Sequence, residues 1–379
     1  VSDEIRYGFI GTGMMGVEHI HNVMALPDAV AVAGCDPDPR SREWGTTAGG
    51  RSFTAYATVE ALLERDDLDV LVLATPNHLH RSTLEAVWGR PVHLLLEKPL
   101  CTTVEDALAV RAAAADHPGI VWMALEYRYM PPITRLLAEV DAGSAGRAHM
   151  VSIREHRFPF LTKVGDWNRF TRNTGGTLVE KCCHFFDLMN QVLPGRPARV
   201  MASGAQDVNH LDERYDGEVP DILDNAFVVV DYDDGTRALL DLCMFAEGSR
   251  WEQEITVVGD DGKLQVQIPG LMEVARGARS ELVVGSRGPE WPVAVQQLDD
   301  DERIAFEGGH HGASFLEHVE LGRAIREGSG PRVTVDEGLL SVAMGVAAHR
   351  SIDERRAVDL DELDLPGDLS VPRLRPEAS

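Results

Sequence analysis

The sequence predicts an α/β protein in two parts: an open, doubly wound parallel sheet, then a region of antiparallel strands and helices. Three observations predict it. Up to residue 126, short apolar runs alternate with helical patterns, the order expected of βα units around a parallel sheet. Beyond it, two hairpin signals follow in series, Asp233-Asp234-Gly235 and Asp260-Asp261-Gly262, each between apolar runs. The length, 379 residues, exceeds an ordinary single core, so two domains are expected, at 1–126 and 127–379.

The elements follow in order. IRYGFI (5–10) reads as a strand ending at GTGMMG, Gly11 to Gly16. Val17, Ile20, Val23 and Met24 then recur at helical spacing. VAVAGCD is a second strand, ending at Asp36. DVLVLATP (69–76) and VHLLLEKP (92–99) read as buried strands that each stop at a proline-marked turn. Helical stretches are expected near 58–66 and 79–90, and IVWMALE (120–126) is a further strand. CTTVED supplies a capping box, Thr102 with Glu105. In the second part ITRLLAEV (133–140), 314–328 and 337–352 are helical, and AHMVSIREHRF alternates as a strand. Antiparallel strands in series imply a broad sheet with one face on helices, and self-association would cover the other face.

Composition narrows the function. The formal charge is 36 − 61 = −25, which repels phosphate backbones, and no basic run offsets it, so a nucleic-acid partner is excluded. No apolar stretch reaches the roughly 20 residues of a membrane span, and VSDEIR enters a strand directly, so no secretory leader is expected. Five cysteines, at 35, 101, 182, 183 and 243, are scattered without paired spacing, which argues against a disulfide framework and for the cytoplasm.

GTGMMG lies between a strand and a helix, with an acid at the next strand's end. That context is the dinucleotide-binding fingerprint. Gly11 permits the tight turn, Gly13 lets backbone approach a pyrophosphate, and Gly16 lets helix and strand pack closely. Thr12, Met14 and Met15 complete the loop, and the helix N-terminus offers N–H groups to phosphate. Asp36 would accept hydrogen bonds from the ribose hydroxyls and repel a 2′-phosphate, which favours NAD; Arg40 nearby keeps NADP open. Thr75, Pro76, Asn77 and His80 of ATPNHLH, and Glu97 and Lys98 of EKP, lie at strand ends where such sheets bind ligands.

GGTLVEKCCHFFDLM, from Gly175, gathers further chemistry. On one helix, Glu180, His184 and Asp187 share a stripe. A metal needs at least three ligands and no complementary Cys/His pair is evident, so no metal is expected; Cys182 and Cys183 are packing residues.

In their order and spacing, GTGMMG, ATPNHLH, EKP and GGTLVEKCCHFFDL resemble the Gfo/Idh/MocA oxidoreductases. HHGASF and AAHRSIDERRAV extend the resemblance over nearly the whole chain. It implies an N-terminal Rossmann domain and a C-terminal α/β domain with a large, mainly antiparallel sheet. It also implies NAD(P)-dependent redox of sugars, cyclitols and related polyols, in homodimers or homotetramers. Lys98 corresponds to the family's lysine against nicotinamide and substrate, and His184 to its histidine, followed by Asp187. The family's aspartate four residues before the histidine is Glu180 here. A secondary hydroxyl would lose hydride to nicotinamide and its proton to His184, with Lys98 stabilising the developing alkoxide and Glu180 or Asp187 orienting the base. Lys163, Trp167 and Asn168, in a breaker-rich loop, would hold a polyhydroxylated ring, with Tyr127, Arg154 and His156 as further candidates. Of His310 and His311 the resemblance implies that one reaches the cleft, the alternative being simple exposure, and His311 is assigned there. The competing functions are a non-catalytic nucleotide or sugar sensor and an NAD-dependent glycosidase that oxidises transiently.

Overall fold

The computed structural model describes residues 4–299 and 301–369. Among them, six parallel strands form the first sheet: β1 (Ile5–Ile10), β2 (Ala29–Cys35), β3 (Thr54–Tyr56), β4 (Val70–Leu73), β5 (His93–Glu97) and β6 (Val121–Ala124), in the order β3-β2-β1-β4-β5-β6. Tyr7, Phe9, Val70, Leu71, Leu94 and Leu95 are fully buried because helices cover both faces. The order reverses between β1 and β4, and ligand crevices open at the carboxyl ends of strands at such a point. The loops that carry GTGMMG and ATPNHLH start from these two strands.

The second sheet has nine strands among the described residues. They are β7 (Ala148–His156), β8 (Pro197–Ala205), β9 (Asn225–Tyr232), β10 (Arg237–Cys243), β11 (Gln253–Gly259), β12 (Gly262–Ile268), β13 (Glu281–Ser286), β14 (Val293–Gln297) and β15 (Val358–Asp359). Their order is β14-β13-β12-β11-β7-β10-β9-β8-β15. Both expected hairpins form, β9–β10 and β11–β12. All neighbours are antiparallel except β7 and β10, which run parallel. The observed class is therefore the expected one: a doubly wound parallel sheet, then an α/β region on a mainly antiparallel sheet.

The helix Val335–Glu354 ties the sheets together. It packs on β8 and on the helix Val104–Ala114 of the first sheet. Thr334 and Glu337 start it with a capping box. One face of the nine-stranded sheet is covered by helices, whereas the other exposes Met150, Met201, Phe227, Val293 and Val295. No helix among the described residues is long and apolar enough to cross a membrane.

Four local expectations are corrected. Thr103, not Thr102, caps the helix at Val104, accepting from Asp106 N. The stretch 58–66 shortens to the helix Val59–Leu62, and 79–90 to His80–Glu85 after a 3-10 turn at Asn77–Leu79. The one helix expected to carry Glu180, His184 and Asp187 is two segments, Thr177–Glu180 and Cys183–Val192, so Glu180 and His184 do not share one straight face.

Arg128 is the central buried cation of the fold. It donates to both oxygens of Asp187, its Nε at 2.6 Å, and to Glu337 Oε1 at 2.7 Å. Burial opposes its charge, but Asp187 and Glu337 more than restore it. Arg128→Met leaves two buried carboxylates without their cation. We expect about 3–5 kcal/mol of stability to be lost, measured by equilibrium urea unfolding.

Candidate active site

A cleft of about 480 Å3 runs from the glycine loop to Lys98. Gly11 sits at φ +94°, and a Cβ there would lie 2.4 Å from Ala74 O. At Gly16 a Cβ would lie 2.1 Å from Gly11 O, whereas at Gly13 it would meet nothing within 4 Å. The first and third glycines thus hold the loop tight, and the second leaves backbone open where a pyrophosphate would rest on the start of the helix Met14–Met24. Met14, Met15, Thr75, Pro76 and Asn77 line the cleft. Asp36 lines it too, its carboxylate accepting from Thr12 N and Asp38 N, each at 2.9 Å. Burial pushes its carboxyl above the ordinary value despite these bonds. Asp36→Ala is expected to raise the NADP-to-NAD ratio of kcat/KM at least roughly tenfold, the equivalent of about 1.4 kcal/mol of relieved like-charge repulsion.

Three residues expected at the nucleotide are placed otherwise. Arg40 lies outside the cleft, its guanidinium 5.4 Å from the Trp44 ring centre on the outer side of its helix. The arginine beside Asp36 is Arg42, which donates to the Asp36 carbonyl at 2.7 Å. Thr12 is buried and donates its hydroxyl to Ser41 O at 2.8 Å, pinning the loop. His80 is buried between the carbonyls of Thr75, Pro99 and Leu100, so it joins the ATPNHLH and EKP turns and does not face the cleft.

At the cleft's inner end, Glu97 Oε1 accepts from His19 Nε2 at 2.7 Å and Oε2 from Lys98 N at 3.0 Å. His19 Nδ1 lies 2.9 Å from His318 Nε2. Burial would raise Glu97, but the hydrogen bond and charge of His19, with Lys98 and His310, bring it down to about 2. Glu97 therefore holds the turn that presents Lys98. The Lys98 side chain lines the cleft with its Nζ 3.4 Å from Glu180 O. Burial would lower its pKa, but Cys183, Glu126, Glu97 and Glu180 carry it above the ordinary value.

His184 lies behind this lysine, 2 % exposed and not part of the cleft wall. What positions it is the Gly175-Gly176 turn. Gly176 has φ +86°, and a Cβ there would be 2.3 Å from His349 Nε2, the atom that accepts from Leu178 N and seats the segment. The Tyr127 ring stacks on His184 at 4.0 Å, 7° from parallel. Burial first, then Lys98, Lys181, His310 and Arg157, hold the imidazole well below its ordinary pKa, so it is neutral and a competent base. His184 Nδ1, Glu180 Oε2 and both Glu126 oxygens are buried with no hydrogen-bond partner among the described residues. Buried polar atoms left so are costly, and hydroxyl groups of a ligand would satisfy them. Glu180 Oε1 accepts from Lys163 Nζ at 3.0 Å, and that ammonium sits 4.5 Å from the Trp167 ring centre. Lys163 and Trp167 both line the cleft.

The other proposed substrate ligands are corrected. Asp187 is spent on Arg128. Tyr127 offers its ring to His184 and its hydroxyl to Lys181 at 2.5 Å, so it shapes the base. Arg154 pairs with Glu254, and His156 with Asp241 at 3.0 Å, on the sheet face away from the helices. Their neighbours Glu155 and Arg157 face inward instead, with Lys181 Nζ 2.9 Å from Glu155 Oε1. Asn168 is buried and fastens its own loop through Leu161 O at 2.9 Å. His311 lines a separate hollow beside Pro131 and Pro269, and the histidine near the Tyr127–His184 stack is His310, whose ring centre lies 6.2 Å from that of Tyr127. Cys182 and Cys183 are buried, and burial pushes the Cys183 thiol up to about 12.

A profile described as the oxidoreductase family's NAD-binding Rossmann fold matches residues 5–125, and one described as its C-terminal alpha/beta domain matches 138–360. The chain belongs to the Gfo/Idh/MocA oxidoreductase family. It is 25% identical over 364 residues to myo-inositol 2-dehydrogenase of Thermotoga maritima, covering 95% of this chain and 99% of that one. It is 26% identical over 362 residues to D-xylose 1-dehydrogenase (NADP(+)) 2 of Haloferax volcanii, covering 94% and 100%. Its fold superimposes with TM-score 0.79 on levoglucosan dehydrogenase in complex with NADH and levoglucosan, at 19% identity and 94% and 99% coverage.

Within this Gfo/Idh/MocA chain, sequence reasoning missed Glu18, Glu126, Glu155, Arg157 and Lys181. Two signals were available. Glu126 closes the apolar run IVWMALE, as Glu97 closes VHLLLE, and Glu155 and Arg157 share strand parity with the apolar Val151 and Ile153.

Proposed function

We propose that this protein oxidises a secondary hydroxyl of a sugar, glycoside or cyclitol, with NAD as the preferred acceptor. One observation carries the reading. Lys98, at the inner end of a dinucleotide cleft, stands beside a set of buried, unpartnered polar atoms that includes the nitrogen of a neutral histidine. When bound, the nicotinamide supplies the hydride acceptor. The Lys98 ammonium would donate to the reacting oxygen and stabilise its developing negative charge. His184 would take the hydroxyl proton. Glu180, Lys163 and the Trp167 face would hold the remaining hydroxyls and the ring. Glu180 in place of aspartate adds one methylene, which Lys163 braces.

In this reading residues 1–126 hold the nucleotide and 127–379 supply the substrate site and self-association. Homodimers or homotetramers would form through the open face of the nine-stranded sheet, where Met150, Met201 and Phe227 are exposed. The compartment would be the cytoplasm, in keeping with five cysteines free of disulfides. The test is NAD and NADP reduction, followed at the NADH absorbance band, across inositols, aldoses and glycosides. Release of an aglycone without net NADH would favour the glycosidase, and nucleotide binding with no turnover on any polyol the sensor.

A further inference from the structure

Oxidising a hydroxyl leaves a proton on the base, and here the base is buried among cations that disfavour its charged form. The proton must leave before the next turnover. Glu126, in the turn after β6, is placed to take it. It is 1 % exposed, and its Oε1 lies 3.6 Å from His184 Nε2 and 4.0 Å from His310 Nε2. On the far side, His310 Nδ1 is 2.9 Å from Glu18 Oε1, and Gly309 N donates to the same oxygen at 3.2 Å. The His310 side chain is 24% exposed and that of Glu18 14%, so a line of titratable groups runs from the buried imidazole to the surface. The two gaps at Glu126 slightly exceed hydrogen-bond length, a looseness common at catalytic contacts before substrate tightens them.

We infer that Glu126 and His310 form the proton path that serves His184, with Glu18 at its outer end. The inference rests on the dehydrogenase reading. His184 carries its resting proton on Nε2, toward Glu126, which leaves Nδ1 to receive the substrate's. As the substrate O–H bond breaks, its proton goes to Nδ1. The Nε2 proton passes to Glu126 Oε1 and on to His310 Nε2, while His310 Nδ1 gives its proton to Glu18 and then water. One proton leaves for each alcohol oxidised, the two electrons leave with the hydride, and the path resets when each imidazole returns its remaining proton to the nitrogen that held it at rest. The charges around the path suit it. Burial raises the Glu126 carboxyl, Glu97 adds to this, and His310 and Lys98 draw it back, with the net above the usual carboxylate value. Buried Glu317, whose own carboxyl is raised partly by Glu126, is the remaining acid nearby. Burial lowers His310, but Glu18 and Glu126 bring it above its ordinary value. Glu126 is therefore a stronger proton acceptor than an ordinary carboxylate, while Glu18, which burial would raise but which the hydrogen bond and charge of His310 hold below its ordinary value, gives its proton up to water readily. Glu126 is thus a positioning and relay residue, acting on substrate only through His184.

The test combines turnover with 15N-histidine NMR of the full chain. Glu126→Gln keeps the shape and removes the exchangeable charge. It is expected to lower kcat roughly 10²-fold with NAD affinity unchanged, and Glu126→Asp to restore part of the loss. His310→Ala, at the partly exposed station, is expected to lower kcat about tenfold, with imidazole buffer restoring the rate. Without any turnover, NMR should show the His184 proton on Nε2 in the wild type, and Glu126→Gln should alter the titration of both His184 and His310. Both variants within about twofold of wild-type kcat, with no imidazole dependence, would overturn the path. So would a His310 titration indifferent to Glu126. Should no polyol yield NADH with the wild type, the dehydrogenase reading falls, and the NMR titration alone then decides whether Glu126 couples the two rings.

Discussion

Replacing His184 with alanine is expected to lower kcat roughly 10³-fold while NAD binding stays near wild type. The reason is positional. His184 is not part of the nucleotide cleft wall, so its loss leaves the glycine loop and Asp36 intact. Two nearby carboxylates are not free to take over its proposed proton-accepting role: Asp187 is bound to Arg128 and Glu180 is braced by Lys163. The pH dependence follows from the direction of the shift. A base whose pKa is pushed well below 6.5 by burial and neighbouring cations is neutral at and above neutrality. The hydride-transfer step that uses neutral His184 should therefore show no His184 titration through neutral pH, its own limb lying in acid as pH drops through that depressed value. The variant should lose this acid limb along with the rate. Stopped-flow hydride transfer across pH, with NAD affinity from fluorescence quenching, checks both parts. A variant with near-wild-type turnover would remove His184 from the mechanism.

Lys98→Met is expected to cost about 10²- to 10³-fold in kcat, the usual effect of deleting one donor to a developing oxyanion. Methionine approximates the stem of lysine, so packing at the inner end of the cleft is largely kept. What is lost is an ammonium that the surrounding carboxylates keep charged against the pull of burial. Because the Glu97 carboxylate is held by His19 and the Lys98 backbone N–H, the turn should survive the substitution. Lys98→Arg should not rescue the rate, since a planar fork cannot replace a point charge in the same space. Steady-state kcat with unchanged NAD affinity is the expected signature; a rise in NAD Kd alone would assign Lys98 to cofactor binding only.

The two sites differed in how much of them could be read from the chain. The nucleotide loop was legible because its requirements are local. Three glycines within six residues, a strand before and a helix after specify one backbone shape, and the contacts a Cβ would make at Gly11 and Gly16 show why. The catalytic half was legible only through motif resemblance, and its neighbours were misread where geometry depends on distant packing. Arg154 and His156 were assigned to the cleft although Val151 and Ile153 mark the inward parity of that strand, which belongs to Glu155 and Arg157. His311 was favoured over His310, yet adjacent loop residues carry no periodicity to separate them. Asp187 sits three residues after His184, but its partner Arg128 lies 59 residues before it, and Glu337, which shares that arginine, lies 150 after it, by the chain numbering, so no local pattern announces the pairing.

By itself, then, the sequence determined the fold class, the two-part architecture and the nucleotide loop, and it singled out Lys98 and His184 as candidates. Those features follow from hydrophobic period, turn chemistry and short motifs, all of which act over a few residues. The tertiary structure alone decided which polar side chains share the interior with His184: Glu126 and Tyr127 from the turn after β6, His310 from the loop before the helix Ala313–Glu327, and Lys181 turned toward Glu155. A buried charge is tolerated only where partners from several elements converge on it, and that convergence is set by how the whole chain packs.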